Sequence, residues 1–256
     1  AYLLENGKAV KLDKPDDAKV GFFDDYLLLT LRTDWKVGEK TYPAGALLAS
    51  KLKDYRAGKR DLQVLFEPAK NKSLLTYSGT KTSLIVNELE DVKNKLWVLT
   101  PEKSGTWKRV ALPLPGIGAY DADAFDGNGN DQYWLQVSDF TQAPRLELGD
   151  LKTGKREVLK SQPEFFDAKG LETKQYFATS KDGTKVPYFV VGKTSLPMDG
   201  STPSVTRPAS VSSSRLLRAM VSWISASSRL RLCTASAASL SRRSARARSA
   251  LSSSMT

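Results

Sequence analysis

The sequence contains no histidine, and its single cysteine is Cys233. A Ser-His-Asp or Cys-His triad needs an imidazole to accept the proton of the nucleophile near neutral pH, and no Gly-x-Ser-x-Gly motif is present either. One cysteine permits no disulfide within the chain and excludes zinc sites built from cysteines and histidines. We therefore predict no catalytic, cofactor-binding or metal-binding residue in this chain, and no cofactor.

The sequence also lacks any apolar run long enough to span a membrane, which requires about 20 residues. It opens Ala-Tyr-Leu-Leu without an initiator methionine and without the basic and apolar segments of a signal peptide. We expect a soluble protein of the cytoplasm or periplasm with a truncated N-terminus and no membrane partner.

Acidic residues are missing from the last part of the chain. Residues 201–256 contain 18 serines and 9 arginines but no Lys, Asp, Glu, Gly or Tyr. Of the formal net charge of +11, these arginines supply +9, so residues 1–200 are almost neutral. The basic character of the protein therefore belongs to this tail, and the two parts must be interpreted separately.

Three interpretations of the tail are open. A GC-rich gene translated in the wrong frame yields excess Ser, Arg and Ala, and this is the interpretation that we favour. A genuine disordered arm would contact nucleic-acid phosphates through its arginines, although Trp223 is its only aromatic residue for base stacking. A membrane-surface helix around residues 216–224 is disfavoured, because the apolar run is short and rich in serine.

Residues 1–200 have the pattern of an all-β protein. Compact apolar runs at residues 26–31, 83–86 and 96–99 are typical of strands buried on both faces. Residues 133–138 alternate between two sets of side chains, which predicts a strand between two packed sheets. Gly, Pro, Asn and Asp clusters separate the runs and predict turns.

Two segments share one pattern, and this pattern indicates a β-propeller. Residues 46–66 and 146–159 each contain an apolar run, a basic turn and a second strand, as the paired outer strands of a blade do. A blade takes roughly 40–50 residues, so this region holds about three to four four-stranded blades. A β-sandwich is the alternative that the same strands permit.

Several polar and aromatic motifs favour structural roles. Asp121 and Asp123, with the oxygen-rich residues 126–130, suggest calcium, but the glycine and glutamate of a calcium loop are missing, and a polar hairpin tip is favoured. Residues 116–118 (Gly-Ile-Gly) lack the third glycine and the helix of a dinucleotide site. Four tryptophans are expected in the core between blades: Trp35, Trp97, Trp107 and Trp134.

Several longer stretches resemble the prolyl oligopeptidase family of serine peptidases. The stretches that carry the resemblance are residues 34–38, 41–48, 64–68, 87–89, 138–144, 159–163 and 165–168, and above all the segment YFATSKDGTKVPYFVV at 176–191. The first seven resemble the second half of that family's propeller. The last resembles the strand and hairpin that lead into its α/β-hydrolase domain.

The resemblance implies a fragment with three parts. Residues 1–168 would form part of a seven-bladed β-propeller, residues 169–200 the linker and first hairpin of the hydrolase domain, and residues 201–256 a frameshifted or disordered tail. It implies a serine endopeptidase that cleaves short peptides after proline, with the propeller as a gate. None of the family's catalytic motifs is present, so we predict that this chain alone is inactive. The alternative is a propeller-like binding module whose basic tail contacts nucleic acid.

Overall fold

The computed structural model describes residues 1–5, 7–164 and 166–195. Three of its sheets are four-stranded, antiparallel and built from strands in chain order, apart from one insertion in the first. Blade I contains β3 (Lys19–Phe23), β4 (Tyr26–Thr30), β7 (Leu47–Lys51) and β8 (Gln63–Phe66). Blade II contains β9 (Lys72–Gly79), β10 (Leu84–Glu90), β11 (Lys93–Pro101) and β12 (Trp107–Leu112). Blade III contains β13 (Gly118–Ala124), β14 (Gln132–Asp139), β15 (Arg145–Asp150) and β16 (Arg156–Ser161).

The remaining elements are three two-stranded hairpins and one short helix. The hairpins are β1 (Tyr2–Glu5) with β2 (Lys8–Lys11), β5 (Trp35–Val37) with β6 (Lys40–Tyr42), and β17 (Leu171–Thr179) with β18 (Lys185–Lys193). The helix α1 spans Leu52–Arg56. Within the described part of the chain, no helix is both long and apolar enough to cross a bilayer.

This architecture confirms the predicted partial propeller, because successive four-stranded meanders are the units of that fold. The predicted outer-strand pairs are also confirmed, since they form β7 with β8 and β15 with β16. The β5–β6 hairpin and α1 were not predicted. The domain boundaries stay a prediction, and the proposed tail at 201–256 lies outside the described residues.

The blades pack face to face through apolar side chains. Strand β4 is buried on both faces, as predicted, and its alternate residues belong to two different hydrophobic clusters. Leu28 packs with Val86 and Leu99 of blade II, whereas Leu27 and Leu29 pack on the opposite side, beneath α1 and the β5–β6 hairpin. Successive residues of a strand point to opposite faces, and both faces of β4 are buried. The run therefore contains no charged or amide side chain before Thr30.

Blade III buries one face against blade II and leaves the other half-exposed. Tyr133, Leu135 and Val137 pack with Ile85 of blade II. Trp134 points to the opposite face, where its ring lies 5.0 Å from that of Phe125. The prediction that residues 133–138 lie between two packed sheets is therefore confirmed only for the face toward blade II, since the described residues contain no further blade on the face that carries Trp134.

The turns divide the blades into two ends. In an antiparallel meander, the connection between the second and third strands lies opposite the other two connections. The first turns of blades II and III contact each other, since Lys81 N donates to Asn130 O at 2.9 Å. We call the opposite end, which carries the second-to-third-strand turns at residues 91–92 and 140–144, the hairpin end, because β17 and β18 lie against it.

Candidate functional site

The functional features of the described residues are charged clusters between blades and the contacts at the hairpin end. No group of three or more His, Cys, Asp or Glu side chains lies close enough to hold a metal ion in the described ranges.

A buried ion cluster joins blade I to blade II. The carboxylate of Glu88 is 2% exposed, forms an ion pair with Arg109 and lies 3.7 Å from the ammonium of Lys72. Arg109 also donates to Leu65 O of blade I at 3.1 Å, and its guanidinium stacks 4.3 Å from the ring centre of Trp97. Desolvation lowers the pKa of Arg109 from its usual range. The cluster neutralises a carboxylate that the interior could not otherwise hold.

A second carboxylate fastens blade II to blade III. Asp131 accepts hydrogen bonds from Thr80 Oγ1 at 2.9 Å and from Thr82 N at 2.7 Å, and it lies 3.2 Å from Lys152 Nζ. Desolvation raises the pKa of Asp131, but the bonds from Thr82 and Thr80 outweigh it and hold the pKa below its usual range. The charged carboxylate therefore stabilises the junction at neutral pH.

Three tyrosines lie at these junctions, of which Tyr120 and Tyr133 are buried and Tyr77 is half-buried. Burial raises the pKa of Tyr77, Tyr120 and Tyr133 above the usual range, so their hydroxyls stay protonated at neutral pH. Tyr133 accepts a hydrogen bond from Arg156 Nε at 3.0 Å, and a Cβ at Gly149 would lie 2.2 Å from its ring. The glycine is required there because the two strands bring this ring against the backbone.

Two cavities lie at opposite ends of the blades. At the hairpin end, a cavity of about 400 Å³ lies between residues 139–144 and residues 163–164 and 166–169, which follow blade III. At the other end, a crevice of about 180 Å³ is lined by Tyr26, Lys51, Asp61 and neighbouring residues. Both cavities are open to solvent. The cavity at the hairpin end separates the residues that follow blade III from the turn at residues 140–144.

The polar motif at residues 126–130 forms the turn between β13 and β14, and the glycine motif at residues 116–118 lies at the start of β13. Asp126 uses its carboxylate to accept from Asn128 N at 3.1 Å, as in a polar turn. Asp131, the residue that follows this turn, is buried, because Thr80 and Thr82 of blade II donate hydrogen bonds to it. Residues 116–118 lead into strand β13.

The four tryptophans that were predicted to lie between blades have different surroundings. Trp97 and Trp107 pack between blades I and II, which confirms their predicted role. Trp35 packs against the cluster on the far side of blade I. Neither Trp35 nor Trp134 lies between two of the described blades, so the predicted position in a core between blades is not confirmed for these two residues.

No protein-family model matches the chain. An uncharacterized peptidase of Sinorhizobium fredii is 32% identical over 188 residues, which are 72% of this chain and 26% of that protein. A prolyl endopeptidase of Elizabethkingia meningoseptica is 30% identical over 105 residues, which are 41% of this chain and 14% of that protein.

The solved structure of a post-proline cleaving enzyme from Rickettsia typhi matches with a TM-score of 0.62 and 29% identity, and it covers 77% of this chain and 29% of that enzyme. The chain is related to the prolyl oligopeptidase family. An uncharacterized peptidase of Rickettsia prowazekii, 29% identical over 80% of this chain, agrees with this relationship.

The chain spans little more than a quarter of these family members, 26% of the Sinorhizobium peptidase and 29% of the Rickettsia prowazekii peptidase. Its three blades and the β17–β18 hairpin therefore correspond to part of a prolyl oligopeptidase. The junction clusters around Glu88 and Asp131 are structural features within that part.

Proposed function

We propose that this chain supplies part of the gating propeller of a post-proline cleaving endopeptidase of the cytoplasm or periplasm. Its partners in the intact enzyme would be short proline-containing peptides. The observation that carries this proposal is the run of three antiparallel blades followed by the long β17–β18 hairpin, in a chain related to peptidases.

The junctions between blades support a gating role. The clusters around Glu88 and Asp131 tie each blade to the next through buried charged groups, and apolar clusters fill the space between them. The first strands also approach closely, since Ala124 N of β13 donates to Ser78 Oγ of β9 at 3.0 Å. Close-packed blades of this kind form a wall that can exclude folded proteins by size while short peptides pass.

We propose in addition that the chain is inactive by itself. General-base catalysis on a serine nucleophile needs a group that titrates near neutral pH, and the chain has no histidine. The chain therefore contributes architecture, and the reacting groups belong to other parts of the intact enzyme.

A cleavage assay tests this proposal. The purified chain is expected to release no product from a chromogenic Gly-Pro reporter peptide above the buffer rate. The Rickettsia typhi enzyme, assayed beside it at equal concentration, is the positive control. Cleavage by the purified chain that a serine-peptidase inhibitor abolishes would show that the chain carries its own active site and would overturn the proposal.

A further inference from the structure

The β17–β18 hairpin lies across the corresponding turns of two neighbouring blades. Gln175 and Phe189 are directly opposite each other in the hairpin and therefore share one face of it. From that face, Gln175 Nε2 donates to Asp91 O in the second-to-third-strand turn of blade II at 2.6 Å. Phe189 packs against Phe140 in the corresponding turn of blade III, with ring centres 5.9 Å apart.

The hairpin depends on such contacts for its orientation. No residue of β17 or β18 is buried, and Phe177 and Tyr188 are 46% and 44% exposed. A two-stranded hairpin is marginally stable in water unless it packs on another element. Residues 163–164 and 166–169, which precede the hairpin, border the 400 Å³ cavity, and Gln162 N donates to Pro144 O of blade III at 2.9 Å.

The turn that receives Gln175 has an unusual backbone. Glu90 pairs with Lys93, which leaves Asp91 and Val92 as a two-residue loop with φ values of 49° and 67°. Asn-Gly is the usual choice for such a loop, and a β-branched residue at positive φ is strained. Asn71 fixes the turn, because Asn71 O accepts from Asp91 N at 2.9 Å and Asn71 Nδ2 donates to Asp91 Oδ1 at 3.1 Å.

We propose that Asp91 and Phe140 form a hairpin seat, which sets the direction in which the β17–β18 hairpin leaves the blades. Gln175 and Phe189 are the positioning residues that occupy it. The strained turn at Asp91 and Val92 directs the Asp91 carbonyl toward Gln175, which is 84 positions away in the sequence. The idea that this direction orients a peptidase domain rests on the proposed function, whereas the seat itself does not.

Hydrogen–deuterium exchange of the full chain tests the seat. Gln175→Glu keeps the size of the side chain but removes its donor, and Phe140→Ala removes the ring contact. Each change is expected to speed exchange of amides in residues 171–193 about fivefold, the effect of losing one ordinary contact, while blade amides keep their protection. Gln175→Lys restores a donor and is expected to recover part of the protection.

Gln136→Glu is the matched control, since it makes the same change at an exposed residue of blade III, and it should leave exchange in the hairpin unchanged. Unchanged hairpin exchange in both Gln175→Glu and Phe140→Ala would overturn the seat. Equal acceleration in blades and hairpin would also overturn it, because the contacts would then support global stability. The readout involves no peptide cleavage, so failure of the proposed function leaves this test intact.

Discussion

Glu88→Ala is expected to lower the free energy of unfolding by about 3 kcal/mol, the lower end of the cost of breaking a buried ion pair. The substitution leaves the guanidinium of Arg109 and the ammonium of Lys72 without their carboxylate at the junction of blades I and II. Both cations are about a third exposed, so water relieves part of the cost. Urea denaturation followed by tryptophan fluorescence measures the change, since Trp97 lies against Arg109.

Glu90→Ala is the matched control for this substitution. Glu90 lies two positions further along the same strand and forms an ion pair with Lys95, but both side chains are about a third or more exposed. Loss of such a surface pair is expected to cost about 0.2–1 kcal/mol. Equal losses from the two substitutions would show that the junction cluster contributes no more than a surface ion pair.

Asp131→Ala is expected to lower the free energy of unfolding by about 2–4 kcal/mol, because it removes a buried, charged acceptor from two donors and an ammonium. Thr80 Oγ1 and Thr82 N lose their acceptor at the blade II–III junction. Thermal or urea unfolding measures the loss. A change below the effect of Glu90→Ala would contradict the assigned role of Asp131.

The same residue predicts a pH dependence. Because the folded-state pKa of Asp131 is lowered from 3.8, its stabilising contribution is fully present above about pH 4 and is lost as pH falls through the lowered pKa. The difference in stability between the natural chain and Asp131→Asn should therefore shrink as pH falls below 3.8. A difference that stays constant down to the acid transition would refute this assignment.

Regular blade strands could be predicted from the sequence because period-two burial is a local signal. The apolar runs at the start of β4 and of β10 are buried on both faces. The helix α1 and the strands β5 and β6 contain five, three and three residues, too few to show a period. These short elements follow from packing on blade I instead.

The junction and seat contacts could not be predicted, because their partners are far apart in sequence. Asp131 and Thr80 are 51 positions apart, and Gln175 and Asp91 are 84 apart. One signal was available: Glu88 interrupts a run of buried residues in β10, and a charge in such a run requires a partner. Its partner Arg109 lies two strands away and is visible only in the fold.

A chimeric enzyme tests the central claim that these blades belong to a post-proline peptidase. Residues 1–195 of this chain would replace the matched segment of the Rickettsia typhi enzyme. The chimera is expected to cleave a Gly-Pro reporter with kcat/KM within about a hundredfold of that enzyme, a loss of about 2.7 kcal/mol at most. It should leave a folded proline-containing protein uncut. A cooperatively folded chimera that cleaves neither substrate, or that cleaves the folded protein as readily as the reporter, would contradict the claim.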